Sequence, residues 1–225
     1  MRLGFISAGA AQGIVGTLAA AEGIEVTGLF GAVGAMLEKF TAGAPCDILI
    51  LTRKQVAELA GKGAVLADTV ADVGSVATSI AVPADHAPPN VSNARALTDA
   101  LMAADAIYFP DPSKATAGIH FAKVLDELRV KGHVVARLRP FPNGATAMRE
   151  MAAAKGKPIG CTQATEILAT PGVRLVAPLP AGLDLATVYT AAVSAQAAEP
   201  QAARAFVRKL TGEASWAQRV KAGFA

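Results

Sequence analysis

Alternation of short apolar runs with alanine-rich runs constrains the fold of this chain more than any other feature. Three strand-like runs, LGFIS, IEVTGLF and CDILIL, are each followed by a helix-like run within residues 1–63. A repeat of strand and helix joins parallel strands through helices that cover the sheet. The order therefore predicts an α/β fold with a parallel-dominated sheet.

A second strand–helix series follows the loop ADHAPPNVSN at residues 84–93. Its strand-like runs are AIYF, HVVARL, PIGC and VRLVAPL. The runs VATSIAV and LATVYTAAVS flank this series, and we interpret them as the two strands of a hinge. We expect two lobes, with lobe one formed by 1–83 and 188–225 and lobe two by 84–187.

The composition favours a well-packed protein that does not bind nucleic acid. Hydrophobic residues make up 52% of the 225 residues and charged residues only 17%, which argues against disorder and allows a sizeable core. The formal net charge is +3, and no cluster of Lys and Arg is interleaved with aromatic residues. Such a cluster is the usual footprint of a nucleic-acid site.

Neither the cysteines nor the histidines form a recognisable metal or nucleophile motif. Cys46 and Cys161 lie far apart, and the three histidines show no metal-ligand spacing with them or with one another. Cys46 begins an apolar run and is interpreted as a buried residue. Cys161 has no histidine near it in sequence that would activate it. We therefore predict no metal and no cofactor.

The first residues superficially resemble a secretory signal, with Arg2 ahead of an apolar stretch. Gln12 and several glycines interrupt that stretch, so a strand, a turn and a helix describe it better. No apolar run reaches the roughly 18 residues that a membrane span requires. As the sequence stands we expect a cytoplasmic protein, or a periplasmic one if a leader has been removed.

Small, hydroxylic and amide residues follow the predicted strands, where ligands bind in open α/β sheets. Backbone N–H groups at helix starts, together with hydroxyl and amide donors, suit an anion. The sequence therefore predicts a small anionic ligand. The candidate ligand-binding residues are Ser7, Gly9, Gly34, Thr52, Ser113, Lys114, Thr116, Asn143 and Gln163.

The stretch PDPSKATAGIHFAKVL at 110–125 carries the densest group of these candidates. We expect Ser113 and Thr116 to offer hydroxyl and N–H donors and Lys114 to add positive charge, as an anion cradle. Gly118 is expected to keep the first helical turn slim so that the other lobe can close. Ordinary N-caps and a solvated lysine are the alternative, and the same alternative applies to Asn143.

Several segments together resemble the type II periplasmic solute-binding proteins, in particular the molybdate-binding-like branch of ABC importers. These segments are GAVGAM, AGAPCDILILT, DPSKATAGIHFAKVLDEL, IGCTQATEIL and PGVRLVAPLP. The resemblance covers nearly the whole chain. It implies two lobes with a two-strand hinge, one anion in an interlobe cleft, and an ABC permease as partner.

Carried over by position, the resemblance favours a carboxylate over molybdate. Ser7 falls in the first binding turn and Gln163 falls where molybdate binders often have tyrosine. Val33 stands where the oxyanion binders typically have serine, which removes a hydroxyl donor.

The stretch TQATE is similar to a sub-branch that includes aconitate isomerase-like proteins. The second hypothesis is therefore a cytoplasmic isomerase of a small unsaturated polycarboxylate, with Glu166 as the candidate base. An exposed helix glutamate is the alternative for Glu166. Arg137 and Arg139, on one face of a predicted strand, could supply a carboxylate clamp, with exposure on the protein surface as the alternative.

Overall fold

A computed structural model describes residues 1–225, which form nine β-strands and ten α-helices. The strands are β1 (Arg2–Ala8), β2 (Glu25–Gly31), β3 (Ile48–Thr52), β4 (Ala71–Pro83), β5 (Ala106–Pro110), β6 (Leu138–Phe141), β7 (Pro158–Gln163), β8 (Val173–Pro178) and β9 (Ala186–Val193). The helices are α1 (Gln12–Ala21), α2 (Val33–Thr41), α3 (Arg53–Gly61), α4 (Ala94–Ala103), α5 (Thr116–Glu127), α6 (Lys131–Val134), α7 (Gly144–Ala152), α8 (Ala164–Leu168), α9 (Pro200–Thr211) and α10 (Trp216–Lys221). None of these helices is long and apolar enough to cross a lipid bilayer.

The chain forms two compact units. Unit 1 contains Met1–Val76 and Thr187–Ala225, and unit 2 contains Ala77–Ala186. The chain passes from one unit to the other within β4 and again at the start of β9. The boundaries predicted from the sequence, 83/84 and 187/188, stay predictions for the two lobes.

Unit 1 contains a mixed sheet in which β2, β1, β3 and β9 are neighbours in that order. Strand β1 pairs with β2 and β3 in parallel, whereas β9 runs antiparallel to β3. Strand β3 is apolar along its length, and its residues Ile48, Leu49, Ile50 and Leu51 are fully buried. A strand covered on both faces reads as a continuous apolar run, which is why this segment was recognisable in the sequence.

Asp47 closes the turn before β3. Its carboxylate accepts hydrogen bonds from the backbone N–H groups of Gly4, Ala198 and Glu199 at 2.7 to 3.0 Å. These three donors provide hydrogen bonds for a carboxylate that is almost fully buried. The aspartate of the AGAPCDILILT segment therefore joins three parts of unit 1 and has a structural role.

Unit 2 places β4, β7, β5 and β6 side by side in that order, with β8 on the other side of β4. Strand β5 is parallel to β6 and β7, whereas β4 is antiparallel to β7 and β8. Helices α4 and α5 bury their apolar faces in the main core of this unit. That core includes Ile80, Leu97, Leu101, Ile107, Phe109, Phe121 and Ile159.

The predicted strand HVVARL is wrong. Residues Lys131–Val134 form α6 and Val135–Arg137 form a single 3-10 turn, so that β6 begins only at Leu138. The Arg137 guanidinium donates to the carbonyl oxygens of Met102 and Ala104 at 2.9 and 2.6 Å, which holds the turn in place. Tertiary contacts have overridden the strand preference of the valines.

The predicted carboxylate clamp of Arg137 and Arg139 depended on that strand, and the structure does not support it. Arg137 lies in the 3-10 turn and Arg139 lies in β6, so the two do not share a strand face. Arg139 donates to the carbonyl oxygens of Ala136 and Leu138, both at 2.9 Å. Both guanidinium groups bind backbone carbonyls of their own unit.

Candidate functional site

In unit 1 the predicted ligand residues of the first series lie at one edge of the sheet. Strands β2, β1 and β3 are parallel neighbours, so their carboxyl ends meet there. Ser7 lies near the end of β1, Gly9 begins the 3-10 turn that follows β1, and Gly34 is the second residue of α2. Ser7 is fully buried, and its hydroxyl donates to the carbonyl oxygen of Ala8 at 2.9 Å.

Thr52 ends β3 and is the N-cap of α3. Its hydroxyl donates to Gln55 Oε1 at 2.7 Å, and its N–H donates to the same oxygen at 3.3 Å. The Thr52 side-chain oxygen in turn accepts the backbone N–H of Gln55, which completes a capping box. A capping box satisfies helix N–H groups that would otherwise lack partners. The polar groups of Thr52 are thus engaged in starting the helix.

One buried hydroxyl in unit 1 has no partner within the protein. It belongs to Thr187, near the start of β9. Strand β9 runs antiparallel to β3 with Tyr189 opposite Thr52, so Thr187 lies beyond the carboxyl end of β3. The sequence prediction missed it because LATVYTAAVS was interpreted only as a hinge strand.

In unit 2 the second series of predicted residues also meets at one edge. Strands β7, β5 and β6 are parallel neighbours. Ser113, Lys114 and Thr116 follow β5, Asn143 follows β6, and Gln163 is the last residue of β7. The sheet therefore brings the starts of α5, α7 and α8 to the same side of unit 2.

The turn between β5 and α5 is organised by Asp111. One carboxylate oxygen of Asp111 accepts from the N–H and hydroxyl of Ser113 at 2.7 and 2.6 Å, and from the N–H of Lys114 at 3.1 Å. These donors, the Ser113 hydroxyl first, hold the pKa of the Asp111 carboxyl below its ordinary value. Helix α5 begins at Thr116, and its N-cap is Ala115, without a side-chain cap.

Gly118 has a different role from the predicted one. A Cβ at this position would overlap the carbonyl oxygens of Pro110 and Asp111. The glycine therefore lets the first turn of α5 approach the end of β5 within unit 2. That packing accounts for Gly118 without reference to the closure of another lobe.

Asn143 is the N-cap of α7. Its side-chain oxygen accepts the N–H of Thr146 at 2.9 Å. The Thr146 hydroxyl in turn accepts from the Arg149 guanidinium at 3.0 Å. These contacts are those of an ordinary N-cap, which was the alternative interpretation of Asn143.

Gln163 differs from the other predicted residues of unit 2. Only 3% of it is exposed, yet neither Nε2 nor Oε1 has a hydrogen-bond partner within the protein. Thr78 lies directly opposite Gln163 in the β4–β7 ladder, and its buried hydroxyl also lacks a partner. The hydroxyl of Thr165, two residues after Gln163, is also buried and without a hydrogen-bond partner.

Such groups are uncommon in folded proteins because nearly all buried polar atoms find a partner. Leaving one unpaired costs about 1–3 kcal/mol. Directly opposite residues of an antiparallel pair project from the same face of the sheet. Thr78 and Gln163 therefore offer a hydroxyl and both ends of an amide on one face.

Glu166 is buried, so the exposed-helix alternative is wrong. Its carboxylate accepts from the Thr162 hydroxyl at 2.5 Å, and the backbone N–H groups of Gln163, Ala145 and Gly144 act as further donors that lower its pKa. Burial raises the pKa of the Glu166 carboxyl above its ordinary value, and these four donors act in the opposite direction. The carboxylate lies at the N-terminus of α7 and also in the first turn of α8.

The remaining candidates for chemistry are inert in this structure. Burial raises the pKa of the Cys161 thiol well above its ordinary value and that of Cys46 to about 12, so neither forms a reactive thiolate at neutral pH. His120 Nε2 lies 2.7 Å from the carbonyl oxygen of Leu183. No group of three or more His, Cys, Asp and Glu side chains is arranged to hold a metal ion.

Solved structures share this fold at low sequence identity. The periplasmic molybdate-binding protein of Azotobacter vinelandii is 19% identical, with a TM-score of 0.78 over 99% of this chain and 98% of its own. The sulfate-binding protein of Mycobacterium tuberculosis is 19% identical, with a TM-score of 0.70 over 100% of this chain and 86% of its own. These similarities establish the α/β fold of the type II periplasmic binding proteins.

A curated relative carries an enzyme name. It is the aconitate isomerase of a Pseudomonas species, 24% identical over 170 residues. The match covers 75% of this chain and 63% of that relative's length.

The sequence profile of the bacterial extracellular solute-binding proteins matches residues 7–225 of this chain. That span includes both units and every predicted ligand residue. The chain belongs to the bacterial extracellular solute-binding protein family.

Proposed function

We propose that this chain binds a small organic anion with a carboxylate group, and that Gln163 is its central contact. The observation that carries the proposal is the buried Gln163 amide, whose donor and acceptor atoms both lack partners. A ligand that pairs with both atoms recovers the desolvation cost that the ligand-free protein bears. The other contacts that the sequence predicts stay predictions, and they include Gly9, Gly34, Lys114 and Thr116. They also include Ser7, Thr52, Ser113 and Asn143, whose side chains already have partners within the protein and are expected to add little to affinity.

The chemistry of the amide favours a carboxylate compound over a tetrahedral inorganic anion. Fully ionised molybdate or sulfate only accepts hydrogen bonds, so it would satisfy Nε2 and leave Oε1 unpaired. A carboxylate that carries a neighbouring hydroxyl group both accepts and donates. Val33, buried at the start of α2, has no hydroxyl to add to an oxyanion shell.

The names of the relatives define the ligands to compare. The structural relatives are named for molybdate and sulfate, and the curated relative for an isomerase that acts on aconitate. Thermal unfolding should be measured with aconitate, citrate, malate, molybdate and sulfate at equal ionic strength. A ligand that binds only the folded state at a hundredfold excess over Kd stabilises it by about 2.7 kcal/mol.

The expected result is stabilisation by one or more of the carboxylates and none by molybdate or sulfate. Binding of the stabilising compound is then measured by calorimetry in wild type and in Gln163→Leu. Tight molybdate binding without a carboxylate response would contradict the proposal.

We also propose that an ABC permease receives the ligand, in line with membership of an extracellular solute-binding family. The family description favours the periplasmic of the two predicted locations. The test is ligand uptake by cells that lack this protein and by cells in which wild type or Gln163→Leu is restored. Uptake that is independent of the protein would contradict a transport role.

A second candidate function is isomerisation of an unsaturated polycarboxylate. The observation that favours it is the environment of Glu166. The Glu166 carboxyl is buried, burial raises its pKa, and it lies one helical turn after Gln163 in the chain. A base of this kind would remove a proton next to a substrate carboxylate, and nearby donors would stabilise the developing charge. Aconitate in deuterated water should then exchange its methylene hydrogens, followed by NMR.

Glu166→Gln separates the two functions. An isomerase loses exchange in this variant while binding persists, whereas a binding protein shows no exchange in wild type.

A further inference from the structure

The start of α7 is filled by a carboxylate from the chain itself. The Thr162 hydroxyl donates to Glu166 Oε2 at 2.5 Å. The backbone N–H groups of Gly144 and Ala145, the first two residues of α7, act with that of Gln163 to lower the pKa of the Glu166 carboxyl. The N-terminus of α7 thus faces a carboxylate, which is the charge that its dipole favours.

The fit around this carboxylate is close. A Cβ on Gly144 would overlap both Glu166 Oε2 and Thr162 Oγ1. The backbone of Glu166 is also fixed, because its carbonyl oxygen accepts the Thr170 hydroxyl at 2.7 Å. Only a glycine at the first position of α7 leaves room for the carboxylate. The start of α7 is therefore shaped to hold one anionic group.

We infer that Glu166 is a specificity-determining residue that occupies the anion position at the start of α7 in place of the ligand. The inference rests on the proposed function, because it concerns which groups remain to bind an anion. With the amides of Gly144 and Ala145 engaged, the ligand depends on Gln163 and its neighbours. A negative charge held beside Gln163 also disfavours ligands that carry additional negative charge.

Removing the side chain should open this position to a small carboxylate from solution. The test compares Glu166→Ala with Glu150→Ala, which removes the same charge from an exposed position on α7. Both are made in the Gln163→Leu background, so that binding at the proposed ligand site does not contribute. Unfolding temperatures are measured in sodium formate and in sodium chloride at equal ionic strength.

We expect Glu166→Ala to unfold at a lower temperature than its parent in chloride, and formate to restore part of the loss in a saturable manner. Glu150→Ala and the parent should respond equally to the two salts. An equal response of Glu166→Ala to formate and chloride would overturn the inference. So would a formate response that appears with Gln163 intact and disappears in Gln163→Leu.

A second variant covers the case in which Glu166→Ala does not fold. Glu166→Gln keeps the side-chain volume and removes the charge, and it is made with Gln163 intact. We expect the ratio of affinities for citrate and 3-hydroxyglutarate, which share a hydroxyl group and differ by one carboxylate, to rise about fivefold or more over wild type, a typical coupling between neighbouring sites. Glu150→Gln should leave the ratio unchanged.

The outcomes separate this inference from the proposed function. A ratio that stays the same in folded Glu166→Gln overturns the specificity role. If neither carboxylate binds wild type, the proposed function fails, and a saturable formate response of Glu166→Ala still supports the anion position at α7.

Discussion

Both units carry polar residues at the carboxyl ends of parallel strands, but the partners of these residues differ. In unit 1 the Ser7 hydroxyl donates to a backbone carbonyl, and Thr52 forms a capping box with Gln55. Thr187 is the unpartnered hydroxyl there. In unit 2 the corresponding edge leaves the Gln163 amide and two threonine hydroxyls unpaired.

From this difference we propose that unit 2 contributes most of the ligand recognition. A buried polar atom that is already paired contributes to the fold and gains little from a ligand, whereas an unpaired one gains a hydrogen bond. At these edges, unit 2 offers a donor and an acceptor on one side chain, and unit 1 offers the Thr187 hydroxyl. We therefore expect substitution of the unpaired Gln163 in unit 2 to change affinity, and substitution of residues that are already paired to change stability.

The largest expected effect is on binding by Gln163→Leu. Loss of both amide contacts should weaken affinity for the carboxylate ligand by about 30-fold or more, because each of the two unpaired partners costs about 1–3 kcal/mol. The ligand-free protein should be at least as stable as wild type, since an unpaired buried amide is replaced by an apolar group of similar size. Calorimetry and urea unfolding measure the two quantities.

Gln55→Leu is the matched control in unit 1. It should lower the free energy of unfolding through loss of the capping box and leave affinity unchanged. Equal losses of affinity in Gln55→Leu and Gln163→Leu would remove the distinction between the two units.

Thr162→Val should produce the next largest effect, on stability. The substitution removes a hydroxyl that donates to the buried Glu166 carboxylate at 2.5 Å. Loss of a hydrogen bond to a charged group costs about 1.5–3 kcal/mol, and urea unfolding measures it. If the change is negligible, the Thr162 hydroxyl is not a significant partner of Glu166.

Thr52→Ala in unit 1 should lower the free energy of unfolding by less than Thr162→Val does in unit 2. Thr52 also ends a buried strand, but its hydroxyl caps α3 rather than a buried charge. Loss of an N-cap costs about 1 kcal/mol, so the free energy of unfolding should fall by about that amount, with ligand affinity unchanged. A marked loss of affinity with unchanged stability would instead support Thr52 as a ligand contact.

The order of strands and helices was predictable because most segments have a clear periodicity. The α/β class and the positions of β1, β3, β5 and β9 follow from apolar runs bounded by turn residues. The prediction of a strand at HVVARL failed because the strand preference of its valines is overridden by contacts with distant residues. The carbonyl oxygens of Met102 and Ala104, which Arg137 binds, are more than 30 residues away in sequence.

For the candidate site, the sequence identifies residues at strand ends, Gln163 among them, but it does not identify their hydrogen bonds. Whether a polar group is paired depends on residues distant in sequence, such as Thr78 opposite Gln163 and Gly144 beside Glu166. The signal available for Thr78 was a threonine inside the apolar run VATSIAV, which the hinge interpretation did not use.

The smallest expected effect concerns Ser113→Ala in the turn before α5. The Ser113 hydroxyl is the main cause of the lowered pKa of Asp111, so the substitution should raise that pKa toward its ordinary value. A carboxyl whose pKa is lower in the folded state adds stability above its unfolded pKa, and this stability is lost as the pH falls through the folded pKa. Ser113→Ala should therefore be slightly less stable than wild type at neutral pH, with the difference vanishing in acid.

NMR titration of the Asp111 carboxyl carbon and urea unfolding at several pH values measure these changes. Because the Ser113 hydroxyl already donates to Asp111 at 2.6 Å, we expect ligand affinity to stay unchanged. The anion-cradle hypothesis predicts the opposite pattern, with weaker binding and an unaltered ligand-free protein. A fall in affinity without a shift in the pKa of Asp111 would show that the hydroxyl turns to the ligand, and the unit 2 edge would then extend from Gln163 to the start of α5.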